Sequence, residues 1–133
     1  MKRSISSLFA VLLGAAGLVT AMAPAASAAV PSTFTCTNAT GPGTVCAPYP
    51  PAWSTTSVKK ISIAVTDHAD GGERCQLYID GIGVTSWVYI DRGDGGMHYL
   101  GTVEGGVGFN LRCQRRAASG DANLGGNVYQ VRP

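Results

Sequence analysis

Only 14% of the 133 residues are charged, 8% are aromatic, and two are histidine. With so few charges, the basic residues form no dense run; the nearest approach is Arg112, Arg115 and Arg116. Lys2 and Arg3 lie in what reads as an export segment, and the eight remaining Lys and Arg residues match the eight Asp and Glu residues. The mature chain is then neutral, which argues against electrostatic nucleic-acid binding. Catalytic signatures are missing as well: there is no Gly-x-Ser-x-Gly, no His-Glu-x-x-His and no Walker loop. His68 and His98 fall in no recognisable motif. The chain therefore reads as non-enzymatic and without a cofactor. The absence of a Cys-x-x-Cys pair argues against zinc.

Beyond residue 28 no apolar run is long enough to span a bilayer, and no window holds the 3.6-residue apolar period of a helix. Before it, Met1-Lys2-Arg3, an apolar stretch over 8–19 and Ala26-Ser27-Ala28 form the charged start, apolar centre and small-x-small cleavage site of a secretory signal peptide. The expected product is secreted, extracellular and monomeric, with no membrane contact after cleavage. The chain divides into the signal over 1–28, a disulfide loop with a Pro-rich aromatic segment over 29–57, and a β core with a Gly-rich tail over 58–133.

Four cysteines, Cys36, Cys46, Cys75 and Cys113, in an oxidising destination imply two disulfides with three possible pairings. Side chains alternate along a strand, so Cys75 shares a face with Leu77 and Ile79, and Cys113 with Val107, Phe109 and Leu111. Both thus face the core, which favours Cys75–Cys113 and leaves Cys36–Cys46. Eighteen glycines and seven prolines punctuate alternating runs at 33–37, 44–46, 58–66, 74–79, 84–90, 97–103, 107–113 and 127–131. Turn signals at 67–72, 80–83, 91–96 and 105–106 each join two such runs. The pattern predicts an all-β fold, a small antiparallel β-sandwich or barrel of six to eight short strands. Residues 115–126 read as a mobile loop, and 128–131 as either a final edge strand or part of a disordered tail.

Two groups of residues suggest binding. In Cys46-Ala47-Pro48-Tyr49-Pro50-Pro51-Ala52-Trp53 the prolines keep the backbone extended and stiff while it carries Tyr49 and Trp53. A stiff aromatic loop loses little entropy on binding a protein such as a hydrolase, although the two rings could equally pack over one end of the sandwich. Tyr78, Trp87 and Tyr89 alternate opposite Leu77, Ile79, Val88 and Ile90. If their strands pair, these rings make a patch suited to a polysaccharide or a protein pocket, unless both faces are buried. Asp67, Asp70 and Glu73 crowd a Gly-rich turn beside His68, where calcium competes with an ordinary turn. Asp91-Arg92-Gly93-Asp94 contains the Arg-Gly-Asp triplet read by integrins, again within a turn, and Asn38-Ala39-Thr40 matches a glycosylation acceptor.

An alternating strand from Val58, a polar turn, a central Cys75 and a Gly-rich run ending in Cys113, behind an Ala/Gly-rich export signal, resemble the layout of the secreted α-amylase inhibitor family of actinomycetes. That family places a Trp-Arg-Tyr triplet between its first two cysteines. Here residues 37–45 hold no aromatic, so no binding residue carries over. The expected function is a small secreted binding protein, an inhibitor of an extracellular hydrolase in the first instance and a carbohydrate or cell-wall binding module or a structural surface protein in the second.

Overall fold

A computed structural model describes residues 31–46 and 53–133. Nine strands follow one another: β1 (Ser32–Cys36), β2 (Trp53–Ser54), β3 (Lys59–Asp67), β4 (Glu73–Ile79), β5 (Gly83–Val84), β6 (Val88–Ile90), β7 (His98–Val103), β8 (Gly108–Arg115) and β9 (Leu124–Val131). They form two antiparallel sheets, one ordered β1-β9-β3-β7, the other β2-β8-β4-β5 with β6 also paired to β4. The sheets do not close into a barrel, which selects the sandwich from the two architectures expected.

Period-two alternation builds the core. Ile61, Ile63 and Val65 of β3 face inward, toward Leu77 and Ile79 of β4 and Phe109 and Leu111 of β8, and all are at most 4% exposed. Phe34, Leu124 and Val128 extend the same layer. Each large side chain so buried contributes about 1.5–3 kcal/mol. The disulfides are Cys36–Cys46 and Cys75–Cys113, as alternation favours. Cys75 and Cys113 stand opposite one another on β4 and β8. Cys36 ends β1, whereas Cys46 lies along the edge of β8, its N–H donating to Leu111 O at 2.9 Å, so this bond ties one sheet to the other. Buried disulfides are consistent with an extracellular protein. Among the described residues no helix is long and apolar enough to cross a membrane.

Three local expectations change. The run at 44–46 is a single bridge, Val45 to Arg112, rather than a strand. The run at 84–90 divides into β5 and β6, because at Thr85 a hydroxyl takes over part of the ladder: Thr85 N donates to Leu77 O at 2.9 Å, and Leu77 N donates to Thr85 Oγ1 at 3.0 Å. The four turn signals each join two strands as expected: 80–83 closes a hairpin, while 67–72, 91–96 and 105–106 carry the chain from one sheet to the other. The largest change concerns the tail.

The predicted edge strand at 128–131 begins earlier, at Leu124, and lies inside its sheet between β1 and β3. Gly125-Gly126, which read as loop, is what allows this. A Cβ on Gly126 would stand 2.1 Å from Ala64 O and 2.9 Å from Val65 Cα, at the register shift between Val65 and Asp67. Only hydrogen fits where two backbones approach so closely. Upstream, the Arg115 guanidinium donates to the carbonyls of Ala118 and Gly120. Asp121 N donates to Asp70 Oδ2, so 116–123 is a pinned connection rather than a mobile one.

Candidate ligand-binding face

The outer face of the second sheet is set by register. Arg74, Gln76 and Tyr78 of β4 oppose Gln114, Arg112 and Asn110 of β8, and Tyr89 of β6 opposes Arg74 from the other side. Trp87 precedes β6 in the same phase as Tyr89. The three rings expected to share a face do share it, but not as a contiguous apolar patch. Guanidiniums cover two of them, Arg74 at 4.4 Å from the Trp87 centroid and Arg112 at 4.4 Å from that of Tyr78, while Arg116 stands farther off, 5.6 Å from Tyr89. Such cation–π contacts contribute about 0.5–1 kcal/mol each at exposed sites. Trp87 and Tyr78 are half-buried beneath their arginines, and Tyr89 is 58% exposed.

Arg74 is held in position. Its Nε and Nη2 donate to Gln114 Oε1 at 3.0 and 2.6 Å, and Gln114 Nε2 in turn donates to Thr40 O at 2.9 Å. Arg116 reaches the Asp91 carboxylate at 2.5 Å. Beside them an open depression of about 260 Å³ is lined by Arg74, Tyr89, Gln114, Arg115 and Arg116. The outward residues of β4, β6 and β8 include no carboxylate. The aromatic positions were legible from alternation. The arginines were not: Arg112, Arg115 and Arg116 read only as the nearest approach to a basic run, and Arg74 drew no notice, although Arg74 and Arg112 sit in phase with Tyr78 and Asn110.

The other expected residues stand elsewhere. Tyr49 lies outside the described residues, and the backbone of Trp53 forms β2 against Phe109. In the 67–73 turn the carboxylates are engaged separately. His68 Nδ1 lies 2.7 Å from Glu73 Oε1, and Asp70 pairs with Arg92 at 3.2 Å. Glu73 is fully buried, and burial lifts its carboxyl above the usual range. The His68 hydrogen bond and charge, the Ala69 N–H and Arg116 pull it partly back. His68 is 11% exposed, so the pair is a structural knot under the turn rather than an accessible acid–base site. His98 has its own carboxylate, Asp94, at 3.3 Å. The arginine of the Arg-Gly-Asp triplet is the one bound to Asp70, so the triplet serves the turn. The sulfurs of Cys36, Cys46 and Cys113 lie within 4.8 Å of one another, all committed to disulfides. Asn38 is exposed in a left-handed conformation, its N–H donating to Asn123 Oδ1 at 3.0 Å.

Compared with protein-family models, curated proteins and solved structures, the chain matches none.

Proposed function

We propose that this chain is a secreted, non-catalytic binding protein that holds an extracellular polysaccharide on the outer face of β4, β6 and β8. The observation that carries the reading is Tyr89, an exposed ring on this sheet face that stands beside the anchored Arg74. Rings held in place lose little entropy when a sugar ring stacks on them.

Co-sedimentation of the oxidised protein with insoluble chitin, cellulose and peptidoglycan, and with an acidic polysaccharide coupled to beads, tests this. The protein is expected in the pellet with at least one matrix, and Tyr89→Ala is expected to return it to the supernatant. A wild-type protein that stays in the supernatant with every one of these matrices refutes the reading.

A second reading, blockade of an extracellular hydrolase through residues 47–53, draws on how the ends of that segment are anchored. Cys46 is tied to Leu111 and to Cys36, and the backbone of Trp53 pairs with Phe109, so both ends rest on β8. Capture of a hydrolase from culture medium, lost in a Tyr49→Ala, Trp53→Ala double variant, would favour it.

A further inference from the structure

Resting on the polysaccharide reading, we infer that the ligand is anionic: a uronate-bearing chain that places a carboxylate on Arg74 and a sugar face on Tyr89. The distribution of charge points there. Every carboxylate among the described residues sits in a turn or at a strand end, namely Asp67, Asp70, Glu73, Asp80, Asp91, Asp94, Glu104 and Asp121. Arg74 and Arg112 sit within strands on the outer face, and neither has a carboxylate within ion-pairing distance. Although the mature chain is neutral in sum, this face is cationic.

Arg74 is the natural anchor. Gln114 accepts from two of its five N–H groups and is itself fixed by Thr40, so three donors remain on a guanidinium that cannot swing away. A planar fork of this kind matches a carboxylate, and holding it in advance removes the entropic cost of ordering it on binding. Tyr89 and Arg74 are register partners, so an exposed ring face and an anchored cation stand side by side. A uronic acid presents the same pair of features, a C–H face and a carboxylate on one ring.

The depression of about 260 Å³ is open and small beside the roughly 300–1,000 Å³ of small-molecule pockets. It therefore seats one sugar of a longer chain rather than a whole compact ligand. Single-stranded nucleic acid needs a run of free rings on which bases stack in succession. Trp87 and Tyr78 are already covered by arginines, which leaves Tyr89 alone. An apolar peptide anchor finds little to bury against in a lining of three arginines, one glutamine and one tyrosine.

The test compares polygalacturonate with its fully methyl-esterified form, alongside alginate, hyaluronate, polyglutamate and oligo-dT, by titration calorimetry on the oxidised full protein. Esterification keeps the sugar ring and removes the charge. At least one of the three uronate polymers is expected to bind, and the ester about tenfold more weakly than polygalacturonate. That difference should shrink when salt is raised from about 50 to 500 mM, because the Debye length falls several-fold. Arg74→Gln is expected to lose the carboxylate preference, Arg74→Lys to restore it partly, and Tyr89→Ala to weaken acid and ester alike. Near-UV circular dichroism checks that each variant is folded, and the ester comparison on the wild type needs no variant.

Equal affinity for acid and ester, or retention on neutral matrices with no binding to any uronate polymer, overturns the anionic assignment and leaves the polysaccharide reading standing. Tighter binding of polyglutamate or oligo-dT overturns it in favour of an acidic protein or a nucleic acid. Failure on every polysaccharide, neutral and acidic, removes the underlying reading as well.

Discussion

The two disulfides differ in what each does, and removing them separately distinguishes two accounts of how a disulfide stabilises. Cys75–Cys113 closes a sequence separation of 38 residues, and Cys36–Cys46 one of 10. If the bonds act by restricting the unfolded chain, their loss costs about 4 and about 3 kcal/mol respectively. All four cysteines are at most 1% exposed, so the packing lost on replacement by alanine is similar at both sites and leaves the order unchanged. If the bonds act by holding the native state together, the order reverses. Cys75 and Cys113 lie on strands already joined by the β4–β8 ladder, while Cys36–Cys46 joins the two sheets. Both cysteines of a pair must be replaced together. Cys75→Ala alone would leave the Cys113 thiol within 4.8 Å of the Cys36 and Cys46 sulfurs, poised for exchange. Equilibrium urea unfolding of the two double variants, followed by tryptophan fluorescence, is expected to show the Cys75→Ala, Cys113→Ala protein as the less stable by about 1 kcal/mol. Its m-value should also rise, because a freed chain exposes more surface on unfolding. A Cys36→Ala, Cys46→Ala protein that is the less stable of the two would refute the chain-entropy reasoning and transfer the effect to the sheet-to-sheet tie.

Two further predictions concern single positions. Gly126→Ala forces a methyl group against the Ala64 carbonyl, and is expected to cost about 3 kcal/mol or more, the upper end of overpacking. Gly41→Ala, with nothing near its new methyl, should leave the melting temperature almost unchanged, and equal melting of the two variants would contradict the packing of β9. The buried Glu73 carboxyl has its folded pKa raised above the ordinary value of 4.5, so its contribution is present below that pH and is lost as pH rises through the folded value. The melting temperature of Glu73→Gln should therefore gain on that of the wild type as pH increases from about 4 toward neutrality. A gap that stays constant would mean that the His68 contact cancels burial, and one that moves the other way that it outweighs burial.

Much of the fold was legible because strong alternation survives in short strands. Ile61, Ile63 and Val65 mark β3 without ambiguity, and the shared core-facing phase of Cys75 and Cys113 favours, among three pairings, the one that forms. The failures share a cause in non-local contact. Gly125-Gly126 carries the composition of a loop, and what makes it strand is the approach of the Phe34 and Ala64 carbonyls from two other strands. Thr85 interrupts an alternating run by offering its hydroxyl to Leu77, a partner that becomes visible only once β4 lies alongside. Turn residues announce a reversal of direction without saying whether the chain returns to the same sheet, and three of four turns here cross to the other one.

The same limit decides what could be read of the site. Alternation assigns each side chain to a face of its own strand, and on that basis Tyr78, Trp87 and Tyr89 belong together. Which side chains lie beside them depends on register, and register depends on bulges and strand ends that sequence periodicity does not encode. Arg74 meets Gln114 across 40 residues of chain and Tyr89 across the opposite edge of the same strand. Slip β8 by one residue and Arg112 turns inward, leaving Tyr78 uncovered. What changes the expected patch from bare rings to rings covered by arginines is therefore pairing rather than composition.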